Sequence, residues 1–234
     1  MPKLTFVTQS SRAADDIAFS PERVVNMYPE AGPQGAKGAL LMRSVLGRSS
    51  FADTGLPITR AMEYLNGAIW LVTGGALFSI TEAAVVTNHG VVGDSSVTSI
   101  ASNGTYITVA ANSTYSVWDG SSMSTPGSGR ITNVGSVAHL DHYTLLTEAG
   151  GDEHEWTTLA DPTTRNALYF ATNESKNDDT LRVLSDGPYA WYFGEESAEI
   201  WYNTGESGAD AFTRLSGGAM DTGLLAANLA VKTE

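Results

Sequence analysis

The sequence predicts an all-β chain built from one repeated unit, a run of short strands joined as antiparallel hairpins. Three observations predict it. Asn-Gly, Asp-His and Asp-Gly turns at positions 66, 103, 141 and 186 punctuate alternating apolar runs, and such dipeptides supply the positive φ angles that a tight hairpin turn needs. The turns are 37, 38 and 45 residues apart, which is the spacing of blades in a β-propeller. The 24 glycines and the many Ser, Thr and Asn residues lie scattered between the apolar runs, as in chains of short strands and frequent turns. An antiparallel sandwich with evenly spaced hairpins is the competing architecture.

The elements follow in order. Residues 1–59 read as an extended arm, with Pro2, Pro21, Pro29 and Pro33 and strand-like pieces only at Leu4–Val7, Val24–Tyr28 and Leu40–Val45. Pro29 biases Tyr28 towards extended geometry, and Ala31-Gly32-Pro33 is turn chemistry. Residues 60–234 read as a β-propeller-like domain. Its first unit is Ala61–Leu65, Ala68–Thr73 and Ala76–Ile80, and its second is Val97–Ser102, Thr105–Ala110 and Thr114–Trp118. A looser third unit runs from Val134 to Leu140 and from Tyr143 to Thr147. The fourth is Leu181–Ser185, Tyr189–Phe193 and Ala198–Tyr202. Residues 148–180 interrupt the pattern with acidic and polar stretches, so an insertion or long inter-blade loop is expected there, with one strand at Ala167–Ala171. Leu224–Val231 suits either a short helix or the opening strand of a further blade.

Composition narrows the function. Charged residues number 26 acidic against 13 basic, a net charge of −13, which disfavours stationary binding to nucleic acid or to anionic membranes. Six of the basic residues lie before position 50, so the body is more acidic than the whole, and its carboxylates are expected to keep the protein soluble. The absence of cysteine excludes disulfides, thiolate metal sites and cysteine nucleophiles. The N-terminus has no apolar segment of a signal peptide, and no stretch approaches the ~20 apolar residues that span a bilayer. Synthesis in the cytoplasm without export is the expectation.

No motif carries chemistry. Asp152-Glu153-His154-Glu155 and Asn177-Asp178-Asp179 contain metal-ligand residue types, but neither has the pattern of a calcium loop, and both read as solvated loops. His89, His139, His142 and His154 show no metal-binding spacing, although His139 and His142 share one strand–turn region. Gly93-Asp94-Ser95-Ser96-Val97 lacks the last glycine of a nucleophile elbow. Ser185-Asp186-Gly187-Pro188-Tyr189 lacks the spacing of a sialidase-type turn, and no carboxylate pair for glycoside cleavage can be assigned. Catalytic, cofactor-binding and metal-ligating residues are therefore expected to be none. The aromatic hairpin Trp191, Tyr192, Phe193, Trp201 and Tyr202 should place Trp191 and Phe193 on one face and Tyr192 on the other, for core packing or for a partner.

Two segments resemble a known family. They are Ser20-Pro21-Glu22-Arg23-Val24-Val25-Asn26-Met27-Tyr28-Pro29-Glu30, and Tyr192-Phe193-Gly194 leading into Glu199-Ile200-Trp201-Tyr202-Asn203-Thr204-Gly205. Together they are similar to the packaged-DNA stabilisation proteins, the tail hub or nozzle proteins of short-tailed bacteriophages. Leu46-Gly47 departs from the Pro-Gly of many members. Members are generally longer, so the chain corresponds to a compact relative or to part of a longer product. The resemblance implies a non-enzymatic structural protein of the virion tail. It implies self-assembly into a ring, by resemblance a hexamer, that joins the head connector to the distal tail and helps retain packaged DNA. The implied partners are further copies, the portal adaptor or connector protein, and tail fibre, tailspike or needle proteins. DNA would pass without sequence-specific binding, and no membrane or cofactor would be involved. A glycan-binding or glycan-cleaving propeller is the alternative. A propeller scaffold for host proteins would share the hairpins but not these two segments.

Overall fold

The computed structural model describes residues 27–31, 40–45, 47, 49–94, 97–127 and 129–231. The expected strand at Leu4–Val7 and the first part of the family-like arm segment, Ser20–Asn26, lie outside them. The chain divides into two compact units between Ser50 and Phe51.

In the first unit, β1 (Met27–Ala31) pairs antiparallel with β2 (Leu40–Ser44), with Tyr28 opposite Arg43. The Glu30 carboxylate pairs with Arg43 across this hairpin. The expectation of an extended arm is corrected to that extent, because part of it closes on itself as a two-stranded sheet.

The second unit is four sheets of four antiparallel strands, each meandering in chain order. Blade 1 is β3 (Thr59–Leu65), β4 (Ala68–Thr73), β5 (Ala76–Thr81) and β6 (Val86–Val91). Blade 2 is β7 (Thr98–Ser102), β8 (Ile107–Ala111), β9 (Thr114–Trp118) and β10 (Met123–Ser124). Blade 3 is β11 (Val134–Leu140), β12 (Tyr143–Glu148), β13 (Glu153–Thr158) and β14 (Asp161–Thr172). Blade 4 is β15 (Thr180–Asp186), β16 (Tyr189–Gly194), β17 (Ala198–Asn203) and β18 (Phe212–Met220). This is a β-propeller-like array.

The turns behave as their residue types dictate. Asn66 and Gly67, and likewise Asp141 and His142, take positive φ at both central positions, as a two-residue hairpin requires. Asn103-Gly104 differs from expectation. Its Asn103 Oδ1 accepts the N–H groups of Thr105 and Tyr106 at 3.0 and 2.8 Å, which makes an Asx-type turn and a longer connection from Ser102 to Ile107.

Residues 148–180 are the main correction. They are not an insertion; 153–172 are the two outer strands of blade 3. The twelve-residue β14 breaks register with β13 twice. Such bulges blur the period-two alternation by which a strand is read.

Consecutive blades bury facing sides against each other, which leaves the outer faces of blades 1 and 4 outside the three seams. Val72 and Leu77 of blade 1 meet Ile107, Val109 and Ala111 of blade 2. Ala110, Tyr115 and Val117 of blade 2 meet Val134, Val137 and Leu146 of blade 3. Leu145 and Trp156 of blade 3 meet Val183, Tyr192, Trp201 and Phe212 of blade 4. Each Val, Leu, Ile or Phe side chain so removed from water contributes about 1.5–3 kcal/mol, so these seams are the core. The first strand of each blade is innermost: β3 packs on β7, β7 on β11 and β11 on β15. No comparable packing joins β15 to β3, so the inner strands flank an open groove rather than a closed channel.

A repeated hydrogen bond sets the step from blade to blade. The chain leaving a blade donates an N–H to the turn between that blade's second and third strands. The bonds are Val92 to Gly75 at 2.8 Å, Val134 to Ser113 at 3.0 Å, Thr180 to Gly151 at 2.8 Å and Leu224 to Gly194 at 2.9 Å. Leu224 thus makes the contact that leads into the next inner strand in blades 1–3. Beyond it, Ala227–Leu229 form one 3-10 turn, and Asn228, Ala230 and Val231 reach the central groove.

Candidate functional site

The two acidic clusters are the first chemistry-bearing groups to place: residues 177–179 are a loop with Asn177 and Asp179 exposed, as expected, whereas Glu153–Glu155 open strand β13 and are not a solvated loop. Glu155 is fully buried. Its Oε1 accepts Arg165 Nε at 2.5 Å, and its Oε2 accepts the Ile131 N–H at 2.8 Å. Arg165 Nη2 then donates to the Ile131 carbonyl at 2.6 Å. One ion pair thereby satisfies both backbone groups of a linker residue that has no ladder partner. Beside it, Arg130 grips Glu153 through Nε at 2.9 Å and Nη2 at 2.6 Å. The linker from blade 2 to blade 3 is clamped at two consecutive residues.

Blade 4 repeats the device. Glu155 stands opposite Leu146, and Glu199 stands opposite Tyr192, at the same place in the third strand. The buried Glu199 accepts the N–H groups of Glu174 and Ser175 at 2.8 and 2.6 Å, both in the linker from blade 3 to blade 4. Arg214 Nη1 at 3.1 Å and Trp201 Nε1 at 3.0 Å complete its shell. Asp178 holds the β16–β17 turn through the Glu196 and Ser197 N–H groups at 2.7 and 3.0 Å. The Glu-x-Trp-Tyr-Asn-Thr-Gly stretch is therefore structural. Its Asn203 Oδ1 accepts the N–H of Gly205, whose φ is +84°.

The aromatic hairpin divides as alternation predicts. Tyr192 and Trp201 are buried in the seam with blade 3. Trp191 and Phe193 stack on the opposite face at 6.2 Å between ring centroids. That face also carries Leu184 and Ile200, each paired in register with Trp191. These four side chains are only partly buried. In blades 1–3 the corresponding face packs on the next blade.

Two of the four histidines, His89 and His154, belong to seams, whereas His139 lines the groove and His142 is exposed in the β11–β12 turn. His89 accepts or donates a 2.7 Å hydrogen bond with Ser79, lies 4.7 Å from the Trp70 ring and 4.4 Å from that of Trp118. His154 is wholly enclosed, 4.0 Å from the Tyr192 ring, with neither ring nitrogen hydrogen-bonded. Burial pushes its imidazole down to about 3. His139 is pushed down to about 4 by burial first and by neighbouring His142 second. An unfolded histidine takes up a proton near pH 6.5, whereas these two stay neutral in the fold. Stability from this source is complete above pH 6.5 and falls as pH drops towards 4 and 3, by up to about 1.4 kcal/mol per pH unit for the enclosed His154 and by less for His139, which solvent partly screens. Urea unfolding at pH 7, 5 and 4 checks this. His154→Phe is expected to flatten the pH dependence; an unchanged slope would refute the assignment to His154.

Among the described residues no three His, Cys, Asp or Glu side chains come together to hold a metal ion, and no helix is long and apolar enough to cross a membrane. His139 and His142 do interact electrostatically. Ser185–Tyr189 spans the end of β15 and the start of β16, joined by the Gly187-Pro188 turn, with Gly187 at φ +55°.

A repeated blade, a linker clamp and a family-like hairpin tied to that clamp thus describe one architecture. Over residues 6–234 the sequence matches the family described as Bacteriophage P22 Gp10, beta-propeller. The chain belongs to this family. Its members are phage structural proteins, and a virion component is what membership makes of the chain. No curated protein matches it by sequence.

Solved structures agree on the fold. The chain is similar to the computationally designed Ika4 protein, with TM-score 0.51 and 10% identity over 67% of this chain and 99% of that one. It is similar to a streptogramin B lyase, with TM-score 0.50 and 11% identity over 67% of this chain and 53% of the lyase. A chain of a humanized mutant of the Chaetomium thermophilum Polycomb Repressive Complex 2 gives TM-score 0.50 and 16% identity over 73% of this chain and 49% of its own. The match thus spans about half the length of the last two. At such identities the likeness is one of fold. Sequence reasoning placed the hairpins of the P22 Gp10-type propeller but missed its buried clamps. The only signal for them was a Glu in the third strand of each of the last two blades.

Proposed function

We propose that this chain is a ring-forming tail hub, joining the head connector to the distal tail and helping to retain packaged DNA. The observation that carries the reading is the family match across residues 6–234. Two features support self-assembly. Residues 1–50 hold six basic and four acidic residues, whereas 51–234 hold seven basic and 22 acidic, so the first segment and the body carry opposite net charge. The partly exposed face of Leu184, Trp191, Phe193 and Ile200 offers apolar area for a neighbouring copy. Rings arise from heterologous contacts that close, and six copies is the expected number. The portal adaptor or connector would meet one end of the ring, and fibre, tailspike or needle proteins the other. DNA would pass through without sequence-specific contact, and no membrane is involved.

Mass photometry of native tails, and of the chain mixed with its connector, tests the assembly. A hexamer supports the hub, and a chain that stays monomeric with its connector refutes it. Trp191→Glu combined with Phe193→Glu is expected to abolish assembly while leaving the unfolding midpoint nearly unchanged, since both rings lie outside the seams. A ring that forms normally from this variant would exclude the blade 4 face from the contact. The hub performs no chemistry in this reading, so incubation with bacterial surface polysaccharide should release no sugar. Hydrolysis abolished by a single Asp or Glu substitution would favour a glycan-cleaving propeller instead.

A further inference from the structure

The open groove between the inner strands has a charge character unlike the rest of the body. Arg60 and Glu63 of β3, His139 of β11 and Arg182 of β15 line it. Among the described residues, Arg43, Arg60, Arg130, Arg165 and Arg214 each have a carboxylate within 4.0 Å. Arg182 alone has none. Its Nε is buried without a hydrogen-bond partner, and so is Nδ1 of His139. Arg60 Nε faces Asp94 at 3.5 Å but closes no hydrogen bond. Three unsatisfied nitrogens therefore belong to residues of one groove, in a body where acidic residues outnumber basic ones threefold.

A half-buried guanidinium without a counter-charge is costly, and a fold this rich in carboxylates had many ways to pair it. We propose that the groove binds a small oxyanion, a carboxylate or phosphate group, on the Arg182 guanidinium. The planar fork of arginine presents parallel N–H donors that match either group. His139 adds an uncharged donor in the tautomer that protonates Nδ1, and Arg60 a second positive charge. Among the described residues Glu63 is the one carboxylate lining the groove, and burial raises its pKa. Burial likewise lowers the pKa of Arg182, as an unpaired cation requires. The net negative body repels extended polyanions, so a small anion is favoured over nucleic acid. This site does not depend on whether the chain forms a ring.

The test is calorimetric and thermal-shift titration of the full chain with inorganic phosphate and with acetate, against chloride at matched ionic strength. Saturable stabilisation by phosphate, by acetate or by both is expected, and which of them acts identifies the group. Arg182→Gln should remove the response. Arg182→Lys, which keeps the charge and loses the fork, should raise Kd by about tenfold or more and guards against a Gln variant that fails to fold. No response beyond chloride, an unaltered response in a folded Arg182 variant, or tight binding of a single-stranded oligonucleotide with both small anions silent would each overturn the proposal.

Discussion

Glu155→Ala is expected to destabilise the protein by about 3–5 kcal/mol, the cost of removing one partner of a buried ion pair. The side chain of Arg165 is only 4% exposed, so its guanidinium would be left in the seam without a counter-charge. The Ile131 N–H would lose its acceptor as well. Damage should extend beyond the pair, because the clamp fixes the linker that leads into β11. The double variant Glu155→Ala with Arg165→Ala is expected to be less unstable than the sum of the two single variants, since it leaves no buried unpaired charge. Chemical unfolding of the four proteins measures this. A single variant within about 1 kcal/mol of wild type would show that water replaces the carboxylate, and the clamp would lose its energetic meaning.

The second large effect is expected at Trp156. Its side chain is 1% exposed, packs within 5.4 Å of the Phe212 ring and donates Nε1–H to the Gly208 carbonyl at 2.8 Å. Trp156→Ala should cost about 3–5 kcal/mol through lost burial and the cavity left behind, and the Gly208 carbonyl loses its donor. Trp191→Ala, on the unpacked face of blade 4, provides the comparison and should cost much less. Equal losses at the two positions would mean that both faces of blade 4 are covered alike. Because Trp156 joins blades 3 and 4, amide exchange should show blade 4 losing protection before blade 1 in the Trp156 variant.

The glutamates show where sequence reading stopped. Glu153 and Glu155 stand in a run with Asp152 and His154, and such a run has the composition of a solvated loop. What buries Glu155 is Arg165, across the β13–β14 pair, together with the backbone of Ile131, twenty-four residues before it. Neither partner is signalled by local composition. The same holds for Glu199, whose partners are two linker N–H groups and Arg214. His154 is a parallel case, since its polar type suggested a surface and the rings of Tyr192 and Trp201 enclose it.

By itself the sequence determined what local chemistry controls. Positive φ at Asn66-Gly67 follows from residue type. Opposite placement of Tyr192 against Trp191 and Phe193 follows from a period of two. The forty-residue recurrence of hairpins names the blade, and the two family-like segments name the family. The tertiary structure alone decided that 153–172 complete blade 3, because bulges in β14 hide the alternation that marks a strand. It alone decided which carboxylates are inside and that, among the described residues, Arg182 has no carboxylate partner. Burial and ion pairing join residues remote in the chain, and their energies are set by distance and desolvation in space, which no local pattern encodes.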